Sequence, residues 1–291
     1  MYERILVPLD GSKLAEQVFP LVVELARAFG SEVVLLGVCE PEESEYGQAC
    51  RLYINNEAEQ LRNSMKDSSA NVRAVALTGK AAEQIISYAE KNDVSLIIML
   101  SHGRSGIMPW TLGSVANKVL QRIDIPILLI RAKTPHLEAS TQGLFNRILV
   151  PLDGSDAGEA VLPHLKQLTE KLESEVILLQ VVASGQHVHT IGGLDYVRFT
   201  EQQVESTKAE AKEYLEKVSK RLAGTKGIMR SEVRVGDAAH EIIKFADEAN
   251  IGLVTISSHG RSGIRQWISG SVTQKILHAG NTPVLLIKAP E

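Results

Sequence analysis

At 291 residues, with 31 Lys and Arg against 35 Asp and Glu, the chain has a formal charge of −4 and a length that suits about two domains. No run of Lys or Arg stands out, which argues against nucleic acid as a partner, and no apolar run is long enough to cross a bilayer. Hydrophobic residues make up 44% and aromatics only 4%, so the expected core is aliphatic.

Met1–Arg4 runs straight into an apolar stretch, Tyr2–Pro8, the first expected strand. With no signal-peptide pattern, the reading is a cytoplasmic protein, and its two cysteines, Cys39 and Cys50, are expected as reduced thiols, a disulfide being the alternative. Asp10-Gly11-Ser12 turns the chain, and Ser12 suits the N-cap of a helix running to Phe29, with Pro20 as a kink and Gly30 as its stop. Glu32–Cys39 reads as a strand, Glu45–Asp67 as a helix, and Asn71–Leu77 as a third strand. Lys80–Lys91 places Ala82, Ile85, Ile86 and Ala89 on one helical face. Ser95–Leu100 is a buried strand, Ser114–Ile123 a helix and Pro126–Arg131 a fifth strand. Alternating apolar strands and amphipathic helices predict an open, doubly wound parallel sheet; in a 3-2-1-4-5 order, ligands would sit where the order reverses, between the first and fourth strands.

The whole plan is then repeated. Arg4–Ser12 returns letter for letter as Arg147–Ser155, an offset of 143. From Ser101–Ile107 against Ser258–Ile264 the offset is 157, so the second copy carries 14 more residues between Val182 and Arg230. The expected domains are 1–132 and 146–291 with a linker at 133–145; the extra Ala183–Thr200 segment reads as a loop near the crevice edge, and its His187 and His189 are weak evidence for a metal.

Two stretches carry the chemistry. Leu100-Ser-His-Gly-Arg-Ser-Gly106 leads to Gly113-Ser114, and Ser257-Ser-His-Gly-Arg-Ser-Gly263 leads to Gly270-Ser271. Each joins a strand to a helix N-terminus, where backbone N–H groups and the helix dipole favour an anion. Gly103, Gly106, Gly113, Gly260, Gly263 and Gly270 would line phosphates; the alternative is a connection that merely needs positive φ. Arg104 and Arg261 could pair with phosphate or be solvated. His102 and His259 stand without a visible nucleophile or paired carboxylate, which favours a loop hydrogen-bond role. Asp10 and Asp153 could contact the sugar or base, or simply turn the chain, and Pro8, Pro151, Val38 and Val181 end neighbouring strands.

These residues resemble the universal stress protein family, whose nucleotide-binding members carry Gly-x2-Gly-x9-Gly-Ser/Thr after the fourth strand and an Asp after the first. Gly103, Gly113 and Ser114 match that pattern, as do Gly260, Gly270 and Ser271, with Asp10 and Asp153 as the aspartates. Leu100 and Ser257 replace the family's first glycine. The resemblance implies two tandem α/β sheets of the adenine nucleotide alpha hydrolase-like kind and an ATP or other adenine-nucleotide site in each, with Mg not indicated. It also implies pairing of Pro126–Arg131 with Pro283–Lys288 as a pseudo-dimer, with a homodimer or an unidentified protein partner as further possibilities. No catalytic constellation is recognisable, so a regulatory binding protein is favoured over a slow ATP-hydrolysing enzyme or an interaction protein without nucleotide. Because leucine is bulkier than serine, the sequence favours the second site as the tighter one.

Overall fold

A computed structural model describes residues 1–101, 112–131, 143–190, 193–224, 226–258 and 270–289, with backbone alone at 187–190 and 193–195. Its contacts form two compact units. The first takes Met1–Leu144 with Asn281–Lys288; the second takes 145–258, 270–280 and 289 among the described residues.

In the first unit, β1 (Arg4–Leu9), β2 (Glu32–Cys39), β3 (Asn71–Thr78), β4 (Leu96–Leu100) and β5 (Ile127–Ile130) form a parallel sheet of order 3-2-1-4-5. Leu6 lies opposite Val34, and Ile5 opposite Leu96. Every residue of β4 and β5 is buried, which requires cover on both faces and explains why these strands read as unbroken apolar runs. The cover comes from α1 (Phe19–Phe29), α2 (Glu45–Ser64), α3 (Ala81–Lys91) and α4 (Ser114–Arg122). In this unit β12 (Val284–Ile287) adds antiparallel to β5, with Leu285 opposite Leu128.

The second unit repeats the pattern. Its strands β6 (Arg147–Pro151), β7 (Glu175–Val182), β10 (Met229–Val235) and β11 (Leu253–Ser257) pair in parallel in the order β10-β7-β6-β11. Its helices are α5 (Leu162–Leu172), α6 (Glu201–Arg221), α7 (Ala238–Glu248) and α8 (Ser271–Ala279). No helix among the described residues is long and apolar enough to cross a membrane.

Three local expectations change. Pro20 does not kink a helix: a short 3-10 turn, Ala15–Val18, comes first, and α1 starts at Phe19 with Pro20 in its opening turn, where a missing N–H leaves no bond unmade. Pro163 plays the same part in α5. The Ala183–Thr200 segment is not an irregular loop but carries a hairpin, β8 (Gly185–Thr190) against β9 (Gly193–Arg198), whose extra ladder satisfies backbone groups that a loop would leave to water. Cys39 and Cys50 are not free thiols. The end of β2 and the second turn of α2 bring their Cα atoms to 5.7 Å, and the sulfurs are bonded.

Candidate functional site

Among the described residues, each unit carries a crevice at the carboxyl ends of its strands. In the first, Pro8, Leu9 and Asp10 leave β1, Leu36 and Val38 come from β2, and Met99, Leu100 and Ser101 end β4. Ala81 and Ile85 of α3 and Gly113–Ala116 at the start of α4 complete it. In the second, the matching positions are Pro151, Leu152, Asp153, Leu179, Val181, Ile256, Ser257, Ala238, Ile242 and Gly270–Thr273, joined by Gly158. Both lie between the strand pair at which sheet order reverses, the place where α/β sheets take ligands. The volumes are about 370 Å³ and about 280 Å³, respectively, at the lower end of small-ligand sites.

The aspartates are held by their own turn. Asp10 Oδ1 accepts the Ser12 N–H at 3.0 Å and the Ser12 hydroxyl at 2.6 Å. Asp153 Oδ1 takes the same two bonds from Ser155 at 3.0 and 2.6 Å. Gly11 and Gly154 stand at φ of 78° and 81°, a left-handed conformation that glycine adopts without cost, so the Asp-Gly-Ser spelling is the requirement of the turn. The serine oxygen then accepts from the first helical turn, Ala15 N–H at 3.2 Å in one unit and Gly158 N–H at 3.0 Å in the other. Ser12 and Ser155 are therefore caps, and they fix where each aspartate stands. Nearby, burial and the Glu16 carboxylate push the Tyr53 phenol well above its usual range, and burial with Glu159 does the same for Tyr214.

Gly113 and Gly270 behave differently. They occupy the N-cap positions of α4 and α8 at φ of −58° and −64°, values that any residue adopts. The Gly113 N–H is spent on the Ser101 carbonyl at 2.7 Å. Neither helix has a side-chain cap, whereas α2, α6 and α7 are capped by Ser44, Thr200 and Asp237. The first-turn N–H groups of α4 and α8 therefore face the crevices without a side chain of the cap residue to accept from them.

Of the residues singled out from sequence, Pro8, Asp10, Val38, Leu100, Gly113 and Ser114 come together in one crevice. Pro151, Asp153, Val181, Ser257, Gly270 and Ser271 come together in the other. His102, Gly103, Arg104 and Gly106, with His259, Gly260, Arg261 and Gly263, lie outside the described residues, and so do the His187 and His189 side chains. Leu100 and Ser257 each line their crevice at the end of the fourth strand of the repeat. The sequence reading missed the apolar wall from Ala81, Ile85, Ala238 and Ile242, although the helical spacing of Ile85 was its signal. Among the described residues, no group of three or more His, Cys, Asp and Glu side chains could hold a metal ion.

A parallel sheet with a strand-end crevice at its switch point, built twice in one chain, defines a tandem doubly wound α/β protein. The profile of the universal stress protein family matches residues 1–131 and again 144–288, and the chain belongs to that family. It is 29% identical over 151 residues to the universal stress protein MJ0531 of Methanocaldococcus jannaschii, covering 52% of this chain and 86% of the relative. It is 30% identical over 149 residues to the universal stress protein YxiE of Bacillus subtilis, covering 50% of this chain and all (100%) of the relative. The crystal structure of a universal stress protein from Archaeoglobus fulgidus superposes with a TM-score of 0.69 at 19% identity, covering 99% of both chains, a likeness of fold.

Proposed function

We propose that each crevice binds an adenine nucleotide, with ATP as the leading ligand, and that the protein is a regulatory stress-response module rather than a turnover enzyme. The observation that carries this reading is the conformation of Gly270. At φ −64° its backbone does not call for glycine. A Cβ placed there would come no closer than 3.4 Å to the Ser258 carbonyl oxygen and the Thr273 hydroxyl, ordinary contact. Neither strain nor packing in the described residues explains the absence of a side chain, whereas close approach of a ligand to the α8 N-terminus does. Gly113 shares the conformation in the first unit.

In this reading the N–H groups of the first turns of α4 and α8, with Ser114 and Ser271, hold phosphate oxygens. Asp10 and Asp153 accept from the sugar or base, and the aliphatic walls at Val38, Ile85, Val181 and Ile242 take the adenine face. The family resemblance extends the phosphate contacts to Gly103, Arg104, Gly106, Gly260, Arg261 and Gly263. No magnesium ligand is assigned.

Native mass spectrometry of the purified protein tests for co-purified nucleotide, and calorimetric titration of ATP tests the residues. Gly113→Val and Gly270→Val each put a branched side chain where the ligand approaches. The expected loss of one or two charge-assisted bonds weakens binding at the altered crevice roughly tenfold or more. Unchanged isotherms for both folded variants overturn the phosphate role.

A further inference from the structure

We propose that the two crevices discriminate between charge states of the nucleotide to different degrees. The first, with Lys80 and Lys118 on the helices that line it, favours the polyphosphate form over adenosine more strongly than the second, where the counterpart positions hold the Asp237–Lys275 ion pair. This assignment rests on reading the crevices as nucleotide sites.

Among the described lining residues each crevice carries one charged side chain, Asp10 or Asp153, and the difference in charge falls just outside the linings. Lys80 and Asp237 are counterparts at the offset of 157, each immediately before the helix whose first residue, Ala81 or Ala238, lines its crevice. Their backbones agree: φ −83° and ψ 124° for Lys80, φ −73° and ψ 123° for Asp237. The same point in space therefore carries opposite charge in the two units.

In the second unit the negative charge is engaged. Asp237 Oδ2 meets Lys275 Nζ at 3.1 Å, and Oδ1 accepts the His240 N–H at 3.0 Å. Lys275 stands one turn beyond Ser271 on α8, so the pair spans from one crevice helix to the other. Its counterpart in α4 is Lys118, one turn beyond Ser114. Where the second unit sets a carboxylate against an ammonium, the first sets two ammonium groups on the same two helices. Among the described residues, Lys80 pairs with Glu83 of its own helix, at 3.4 Å with both side chains largely exposed, a contact too weak and too screened to cancel the field of two lysines.

Two cations flanking one crevice raise the local potential for a polyanion, and a carboxylate in the same place lowers it. This charge difference runs against the ranking that the size of Leu100 against Ser257 suggests from sequence.

The experiment is calorimetric titration of ATP, AMP and adenosine into the full chain and into Gly270→Val and Gly113→Val, which leave the first and second crevices, respectively. The first crevice should prefer ATP to adenosine, with a preference that falls as sodium chloride rises; the second should show a smaller preference. Lys80→Asp should reduce the ATP-to-adenosine affinity ratio of the first crevice roughly threefold or more, and Asp237→Lys should raise that of the second by a similar factor. Adenosine affinity is the internal control, because a merely structural change would move all three ligands together. Lys80→Asp and Asp237→Lys are surface changes, and two-step isotherms of the otherwise unaltered chain read the same ratios if a valine variant does not fold. Equal ratios at the two crevices, insensitive to both charge reversals, overturn the proposal. Absence of binding by all three ligands overturns the nucleotide reading itself, and this assignment with it.

Discussion

Ser155 Oγ lies 2.6 Å from Asp153 Oδ1 and at the same time accepts the Gly158 N–H at 3.0 Å. One hydroxyl thus joins the crevice aspartate to the first turn behind it. Ser155→Ala removes both bonds and leaves the Gly158 N–H without its side-chain acceptor, while Asp153 Oδ1 keeps the Ser155 N–H. The expected cost is about 1 kcal/mol, the usual value of a lost cap, read as a lower urea midpoint for the second unit. Ser155→Thr keeps the hydroxyl and should restore most of it. An alanine variant as stable as the parent would show that the bond does not hold the turn.

Glu173 occupies the position where the first repeat has Gly30. Both follow a helix in the left-handed region, Gly30 at φ 67° and Glu173 at φ 52°. Glutamate has a Cβ that crowds the carbonyl there, and its 3.8 Å pair with Lys226 is exposed and weak. Glu173→Gly should therefore stabilise the second unit by about 1 kcal/mol, measured by urea denaturation. A loss of stability would mean that the ion pair outweighs the backbone.

The fold was legible because the chain states it twice. The nine-residue opening at Arg4 and Arg147 marked both first strands, and the buried runs Leu96–Leu100 and Leu253–Ser257 could only be strands covered on two faces. Asp10, Gly113 and their counterparts were legible because turn and helix-start chemistry is local. What depended on tertiary approach was not. The Cys39–Cys50 bond needs the end of β2 to meet the second turn of α2, and no spacing rule encodes that meeting. The hairpin was hidden because Gly185, Gly192 and Gly193 read as loop residues when considered without a partner strand. The Lys80–Asp237 alternation was written in the sequence throughout, but only the lining alanines beside it show that it rims a crevice.

Glu57 gives a pH test. It is only 9% exposed, and burial, reinforced by the neighbouring Glu16 carboxylate, raises its pKa above the ordinary carboxylate value. An acid whose folded pKa lies above its unfolded one costs stability when both states are ionised. That cost is relieved as pH falls through the raised folded value, and it is gone below the unfolded one. Glu57→Gln should thus be the more stable protein at neutral pH, and its advantage should shrink on acidification toward the ordinary carboxylate range. Thermal melts across that range check it, and a constant difference at every pH would remove burial of charge as the cause.

Gly37 and Ile54 divide one space between a strand and a helix, and the second repeat divides the same space the other way. A Cβ on Gly37 would stand 2.5 Å from Ile54 Cγ1, so β2 must carry glycine there because α2 carries isoleucine. At the matching positions the second repeat has Gln180 on β7 and Ala211 on α6, both buried. The exchange costs something, since Gln180 Oε1 is buried without a hydrogen-bond partner among the described residues. Two changes should therefore behave as a coupled pair. Gly37→Ala should cost about 1–3 kcal/mol through overpacking, and Ile54→Ala about 2–5 kcal/mol through the cavity it leaves. In the double variant the new methyl occupies part of that cavity and the clash disappears. The combined cost should then fall short of the sum by about 1 kcal/mol or more, a coupling that urea denaturation of the four proteins resolves. Strict additivity would mean that the two residues do not share the space. In the second unit, Gln180→Met keeps the volume and removes the unpartnered oxygen, and should raise stability by about 1 kcal/mol.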